Sequence, residues 1–99
     1  MFLAMDELTA QDSRGDEIFM YTTSWCGECR RAKKVFAALG VPYAEIDIDS
    51  HPEAAEQVML LNNGMRTVPT IVFGDGTILA EPSRQVLEDK LTSLPRGQR

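Results

Sequence analysis

The sequence predicts an α/β domain in which a four-stranded mixed sheet carries helices on both faces, in the order β-α-β-α-β-β-α. Two short runs, residues 18–22 and 70–73, are apolar on both sides of a strand, which is typical of central strands covered on both faces. Three stretches with apolar residues three or four positions apart predict helices. The 99 residues, of which 43% are apolar, are enough for one hydrophobic core without disulfide bonds.

The first strand, residues 18–22, leads through a short loop into a helix predicted from about Cys26 to Leu39. The inward face expected for this helix has spacings of three and four and consists of Cys29, Ala32, Phe36 and Leu39. Gly40 follows as a C-terminal stop, and Pro42 prevents the helix from continuing. These residues make up the first β-α unit.

The middle of the chain predicts an edge strand followed by a second helix. Residues 43–48 alternate between polar and apolar side chains, a pattern typical of a strand with one solvated face. Ser50 and Glu53 resemble a capping box, and Pro52 fits the first turn of a helix that extends to about Asn62. The inward residues expected for this helix are Ala54, Val58 and Leu61.

The last third of the chain predicts a β-hairpin and a closing helix. The strand 70–73 is followed by the turn 74–76, whose glycines and aspartate favour a hairpin, and by the strand 77–80. Ser83 is expected to cap the final helix. The inward residues of that helix are Leu87, Leu91 and Leu94. The order of the elements makes the first crossover parallel and right-handed and the closing hairpin antiparallel.

The formal charge of −5 is concentrated at the N-terminus. Residues 1–17 contain five acids and one base, a balance of −4, so residues 18–99 carry only −1. We therefore expect a flexible acidic arm over residues 1–17, a domain over residues 18–94 and a frayed tail over residues 95–99. The apolar residues at the start of the arm either fray or dock on the domain or a partner.

Charge and hydropathy exclude several kinds of partner. A negative net charge disfavours nucleic acid, and no apolar run approaches the roughly 18 residues of a membrane span. The N-terminus lacks the basic start and long apolar run of a secretory signal. Two cysteines are too few for a secreted disulfide framework. We therefore expect a cytoplasmic protein that acts as a monomer.

The two cysteines form the motif Cys26-Gly27-Glu28-Cys29 at the junction of a predicted central strand and helix, which favours a redox-active thiol pair. The N–H groups and positive end of the helix stabilise a thiolate at Cys26, which we expect to be the nucleophile. Cys29 lies one turn further on and is expected to be buried as the resolving cysteine. Gly27 and Glu28 are expected to tune the redox pair, because the charge of Glu28 opposes a nearby thiolate.

Metal binding by a single chain is not predicted. Cys26, Cys29 and the lone His51 offer at most three soft ligands, whereas a structural zinc site takes four. His51 is expected as an exposed residue of a first helical turn.

Four basic residues follow the cysteine motif on the predicted helix. They are Arg30, Arg31, Lys33 and Lys34. They either attract anionic thiols such as glutathione to the site or simply form a solvated helix face.

Three blocks of the sequence resemble the glutaredoxin branch of the thioredoxin superfamily. These blocks are residues 21–29 with the cysteine motif, residues 66–70 with Thr67-Val68-Pro69, and residues 75–83 with Asp75-Gly76-Thr77 and Glu81-Pro82-Ser83. The chain is most similar to the small actinobacterial-type mycoredoxins, and the resemblance covers about residues 18–94. It implies a thioredoxin-like fold.

The resemblance also implies a set of substrate-binding residues, namely Trp25, Arg66, Thr67, Val68 and Pro69. In the family this proline is cis and packs opposite the reactive cysteine, and the backbone of the preceding residue pairs with an extended substrate segment. Trp25 serves either as an apolar contact surface or in core packing. Arg66 either meets the carboxylate of a thiol or is a free surface residue.

The activity implied is that of a thiol–disulfide oxidoreductase acting on protein disulfides or on mixed disulfides between proteins and a low-molecular-weight thiol. No tightly bound cofactor is expected, and the co-substrate is glutathione, mycothiol or bacillithiol, or else a thioredoxin-reductase-type reductant supplies the electrons. Thr23 stands where glutathione-using members have a base, and residues 79–83 replace their Gly-Gly pair, which favours the other reductants. Two alternatives are a thioredoxin-reductase-dependent electron donor to ribonucleotide reductase and an iron–sulfur or metal carrier that uses Cys26 in a dimer.

Overall fold

A computed structural model describes residues 17–94, so the predicted tail and all of the predicted arm except Glu17 lie outside the described residues. The predicted order of elements is confirmed. The elements are β1 (Ile18–Thr22), α1 (Gly27–Leu39), β2 (Ala44–Asp47), α2 (Pro52–Leu61), β3 (Thr70–Phe73), β4 (Ile78–Ala80) and α3 (Arg84–Thr92). β2 and β4 are shorter than the predicted strands 43–48 and 77–80.

The four strands form one mixed sheet in the order β2-β1-β3-β4. β1 pairs in parallel with β2, with Phe19 opposite Ala44, and antiparallel with β3, with Phe19 opposite Val72. β3 pairs antiparallel with β4, with Ile71 opposite Leu79. The parallel first crossover, the antiparallel hairpin and the edge position of β2 are therefore confirmed, and β1 and β3 are the central strands.

Helices cover both faces of the sheet. On one face, α1 and α3 pack against β1 and β3, and the core there consists of Ile18, Met20, Ala32, Val35, Phe36, Val41, Ile71, Phe73, Leu87, Leu91 and Leu94. On the other face, α2 contributes Ala54, Ala55 and Val58, which pack with Tyr21, Ile46, Ile48 and Val68. Because successive residues of a strand point to opposite faces, the single strand β1 supplies side chains to both halves of the core.

The inward face of α1 differs from the prediction at its last turn. Leu39 was expected to be buried but is 38% exposed, and Val35 is buried instead. Gly40 ends the helix with a left-handed φ of 68°, which reverses the chain direction. Val41 then donates its N–H to the Phe36 carbonyl at 3.0 Å and is buried against the end of the helix. Val41 therefore fills the place that the periodicity assigned to Leu39.

The capping box predicted at Ser50 and Glu53 is wrong. The N-cap of α2 is His51, whose side chain makes no capping hydrogen bond, and the helix begins with Pro52. Ser50 belongs to the preceding turn, where its hydroxyl lies 3.5 Å from an Asp47 carboxylate oxygen. Proline is favoured at the first helical position because its missing N–H has no helical partner there, and this places the start one residue later than predicted.

The final helix agrees with the prediction in its cap and its buried face. The Ser83 hydroxyl accepts a hydrogen bond from the Val86 N–H at 3.2 Å. Its buried residues are Leu87 and Leu91, and Leu94 is buried just beyond the helix. Within residues 17–94, none of the helices is long and apolar enough to cross a membrane.

Candidate active site

Cys26 lies at the N-cap of α1, directly after the turn that follows β1. The backbone of Cys26 is extended, and its Sγ accepts a hydrogen bond from the Cys29 N–H at 3.0 Å. A sulfur therefore occupies the place that a serine or aspartate oxygen takes in an ordinary helix cap. The free N–H groups and positive dipole end of α1 stabilise negative charge on this atom.

Cys29 differs sharply from Cys26 in its surroundings. Its side chain is fully buried, whereas Cys26 retains 8% of its accessible surface. Burial, with a further contribution from the hydrogen bond to Cys26, raises the pKa of Cys29 to about 12. A backbone hydrogen bond from Thr23 acts in the opposite direction but is outweighed. Cys29 is therefore a neutral thiol at physiological pH.

The loop that carries Thr67, Val68 and Pro69 lies opposite Cys26. The Val68–Pro69 peptide bond is cis, and the Val68 carbonyl oxygen lies 3.9 Å from the Cys26 Sγ. The Thr70 hydroxyl donates to the Thr67 carbonyl at 2.7 Å, which closes the turn. The structure therefore brings together the cysteine motif and the loop that the sequence placed about 40 residues later.

Asn62 is a supporting residue that the sequence indicated only as the end of a helix. Its side-chain amide donates to the Val58 carbonyl at 2.8 Å and to the Thr70 hydroxyl at 3.2 Å. The amide thereby links the last turn of α2 to the loop opposite Cys26. An asparagine after a helix is a common C-terminal residue, so nothing in its position indicated this contact.

An open groove of about 590 Å³ runs past Cys26. Its walls are formed by Trp25, Cys26, Gly27, Glu28, Arg31, Met65, Arg66, Thr67, Val68 and Glu81. Trp25 is 72% exposed, so it forms part of the groove wall and is not core packing. Pro69 is fully buried and is not among the residues that line the groove.

Glu81 lines the groove, although the sequence indicated it only as part of a family-like block and without a role in the site. It has a left-handed φ of 48°, a conformation in which glycine is far more common than glutamate. Its N–H donates to the Pro69 carbonyl at 2.8 Å, which ties the end of β4 to the cis-proline loop. The side chain of Glu81 then adds an acidic group to the groove.

Arg66 lines the groove, and its guanidinium is paired with a carboxylate. Its guanidinium Nη2 lies 3.3 Å from one carboxylate oxygen of Asp49. The Trp25 indole Nε1 donates to the other oxygen of Asp49 at 3.2 Å. Asp49, in the turn after β2, thus connects two predicted substrate-binding residues, although no sequence pattern indicated this role.

The four basic residues of α1 have different surroundings. Lys33 forms an ion pair with Glu45 on β2, and this hydrogen-bonded pair raises the pKa of Lys33 and lowers that of Glu45. Arg30 and Lys34 are exposed. Arg31 is also exposed and, unlike the others, lines the groove. The cluster therefore brings one base, not four, to the groove.

His51 was considered from the sequence as a possible metal ligand together with the two cysteines. His51 is exposed, as expected, and its Nδ1 lies 3.0 Å from the Asp47 carbonyl. Within the part of the chain that the structure describes, no group of three or more His, Cys, Asp or Glu side chains is arranged to hold a metal ion.

Alkylation should distinguish the two thiols. With excess iodoacetamide at about pH 9, we expect one adduct per folded chain, on Cys26, because the raised pKa of Cys29 keeps its thiol protonated and burial blocks the reagent. A second adduct should form only as the pH approaches 12 or after unfolding in urea. Intact-mass measurement and peptide mapping would check this. Two adducts appearing at equal rates on the folded chain would contradict it.

A cysteine pair at the start of a helix, with a cis-proline loop opposite, places the chain in the class of thioredoxin-like thiol–disulfide oxidoreductases. The model of the glutaredoxin family matches residues 18–78. The chain belongs to the glutaredoxin family.

Several known proteins are similar to this chain. A protein of Mycobacterium tuberculosis assigned as a glutaredoxin is 45% identical over 75 residues, which cover 76% of this chain and 89% of that one. Mycoredoxin 1 of Corynebacterium glutamicum is 36% identical over 77 residues, covering 78% and 95% of the two chains. Among solved structures, the glutaredoxin-like NrdH-redoxin of Escherichia coli has a TM-score of 0.66 at 28% identity, and the match covers 80% of this chain and 99% of that one.

Proposed function

We propose that the chain reduces mixed disulfides between proteins and a small thiol, and protein disulfides, with Cys26 as the nucleophile. The observation that supports this most directly is the asymmetry of the two sulfurs. Cys26 Sγ lies at the positive end of α1 and borders the open groove, whereas Cys29 is fully buried and neutral. Cys26 is thus suited to attack the substrate disulfide, and Cys29 is suited to resolve the disulfide that forms on Cys26.

In the proposed reaction, the Cys26 thiolate attacks the small-thiol sulfur of a mixed disulfide. The bond between that sulfur and the protein breaks, the protein thiolate leaves and takes up a proton, and Cys26 retains the small thiol as a new disulfide. A second small thiolate then attacks the retained sulfur, releases the oxidised small thiol and restores Cys26. Alternatively, the Cys29 sulfur attacks Cys26 Sγ, the bond between Cys26 and the small thiol breaks, and the small thiolate leaves with the Cys29 proton. The resulting Cys26–Cys29 disulfide is then opened by a reductant.

The remaining site residues are proposed to bind the substrate and to adjust the reactivity of the Cys26 thiolate. The backbone of Thr67 and Val68, held by Pro69, is positioned to pair with an extended substrate segment beside Cys26. Trp25 provides an exposed apolar surface and Arg66 a polar rim. Gly27 and Glu28 lie between the two cysteines in the sequence, and both line the groove. The negative charge of Glu28 opposes formation of the Cys26 thiolate.

The co-substrate is proposed to be a low-molecular-weight thiol in the cytoplasm, and the working unit a monomer of the domain 18–94. The likeness to mycoredoxin 1 favours mycothiol over glutathione or bacillithiol. Thr23, which stands where glutathione-using members have a base, is buried and brings no charge to the groove. The acidic arm and the tail are not needed for this proposal.

A comparison of small thiols tests the proposal. A peptide carrying one cysteine is prepared as its mixed disulfide with mycothiol, bacillithiol or glutathione, and each is offered to the reduced protein with the matching thiol as reductant. We expect release of the free peptide fastest with mycothiol, as followed by chromatography. The matched control is Cys29→Ser, which should retain the first step. Release from all three disulfides at the rate of protein-free buffer would contradict the proposal.

The fold supports a second candidate, an electron donor charged by thioredoxin reductase that serves ribonucleotide reductase. The structure report on NrdH-redoxin describes that protein as having a thioredoxin-like activity profile. Turnover of this chain by thioredoxin reductase and NADPH without any small thiol would favour this candidate over the first.

A further inference from the structure

Asp49 uses each of its two carboxylate oxygens for one residue of the groove wall. Oδ2 accepts from the Trp25 indole at 3.2 Å, and Oδ1 pairs with the Arg66 guanidinium at 3.3 Å. The Asp49 N–H donates to Asp47 Oδ1 at 2.9 Å, which fixes the backbone of the turn that carries the Asp49 side chain. Asp49 does not itself line the groove, and it acts there through the two residues that it holds.

The ion pair changes the charge that the groove offers to a substrate. Four charged side chains line the groove, namely Glu28, Arg31, Arg66 and Glu81, and their charges sum to zero. Because Asp49 offsets Arg66, the other charged residues of the groove are the two acids Glu28 and Glu81 and the single base Arg31. An anionic group beside the attacked sulfur therefore meets a net negative wall.

We propose that Asp49 is a positioning residue that sets the charge preference of the groove. By holding Arg66 in an ion pair, it makes the groove favour neutral or cationic substituents on the attacked sulfur over anionic ones. This inference rests on the proposed function, in which Cys26 attacks a mixed disulfide in the groove. Both partners are about half-exposed, so removing the charge of Asp49 should alter selectivity with little effect on the fold.

The test measures single-turnover rates of the reduced full chain with three mixed disulfides of thionitrobenzoate. The second thiol is glutathione, which is anionic, mercaptoethanol, which is neutral, or cysteamine, which is cationic. Thionitrobenzoate is the same leaving group in all three, and its colour reports the attack in stopped flow. Rates are divided by those of dithiothreitol with the same disulfides, which removes differences in intrinsic reactivity.

Asp49→Asn removes the charge but keeps an oxygen that can accept from the indole. We expect it to raise the rate with the glutathione disulfide about fivefold and to lower the rate with the cysteamine disulfide by a similar factor. A factor of about five corresponds to about 1 kcal/mol, the interaction energy of two unit charges about 4 Å apart in water. Both changes are measured relative to the rate with the mercaptoethanol disulfide, whose only charge is the thionitrobenzoate carboxylate that all three disulfides share. When Arg66→Gln is also present, the gain in rate with the glutathione disulfide should fall below about twofold. Only the direct repulsion between the Asp49 carboxylate and glutathione is then removed, and solvent ions screen that repulsion.

The controls separate the possible failures. Asp89→Asn removes the same charge from α3, where the Asp89 carboxylate accepts from Gln85, and should leave all three rates unchanged. An equal change in all three rates with Asp49→Asn, or none, would overturn the role of Asp49. Wild-type rates no higher than those of Cys26→Ser would instead overturn the proposed function, and this inference with it.

Trp25 provides an independent readout because it is the only tryptophan of the chain. Its fluorescence anisotropy should fall in Asp49→Ala, which removes the hydrogen-bond acceptor, and stay at the wild-type value in Asp49→Asn. A fall in Asp49→Asn as well would mean that the groove wall has moved, and the charge assignment would be overturned.

Discussion

Replacing Cys26 by serine is expected to lower the rate of mixed-disulfide reduction by about three orders of magnitude or more. A serine hydroxyl is not ionised near neutral pH, so the nucleophile is lost. The oxygen still accepts a hydrogen bond from the residue 29 N–H and keeps α1 capped, so the fold should be preserved. The measurement is release of free peptide from its mixed disulfide with a small thiol.

Cys29→Ser is the matched control for this variant. It changes a sulfur of the same motif, but one that is buried and whose raised pKa keeps it protonated. We expect it to retain most of the activity toward mixed disulfides and to lose activity toward disulfides within proteins, where the second sulfur is needed. If Cys26→Ser stayed active while Cys29→Ser did not, the roles of the two cysteines would be reversed.

Phe36→Ala is expected to lower the free energy of unfolding by about 3–5 kcal/mol. Phe36 is fully buried on α1, and its ring centroid lies 4.5 Å from that of Tyr43. Truncation leaves a cavity between α1 and the sheet that the surrounding side chains fill only in part. Urea denaturation followed by far-ultraviolet circular dichroism gives the free energy.

Leu39→Ala, three residues further along the same helix, is the control for Phe36→Ala. Because Leu39 is partly exposed, we expect a loss of about 0.5 kcal/mol or less. The sequence periodicity assigned both residues to one buried face, so the pair also tests whether Leu39 lies outside the core at the end of α1. Equal losses in the two variants would contradict the structure.

Much of the fold could be predicted because its signals are local. The runs 18–22 and 70–73 form the two central strands, and Ser83 caps α3, as their residue types indicate. The errors arose where two local signals compete. Ser50 is a favourable N-cap residue by type, but Pro52 places the start of α2 one residue later than predicted. At the end of α1, the chain reversal at Gly40 buries Val41 where the periodicity predicted Leu39.

The candidate site was predicted less completely than the fold. The position of the cysteine motif at a strand-to-helix junction is a local feature, and it was correct. Asp49 and Glu81 were missed because their importance comes from partners distant in sequence: the Trp25 indole and Arg66 for Asp49, and the Pro69 carbonyl for Glu81. No periodicity or capping pattern marks such contacts.

The sequence by itself determined the order of the elements, the place of the two sulfurs on α1 and the stop at Gly40, since each depends on neighbours within about one helical turn. Only the tertiary structure decided which loop faces Cys26 and how completely Cys29 is buried. Packing of α1 against the sheet buries Cys29 and raises its pKa, and the sheet brings Val68 to 3.9 Å from Cys26 across 42 residues of chain. The pairing of Arg66 with Asp49 depends in the same way on two loops that meet only after the strands have assembled.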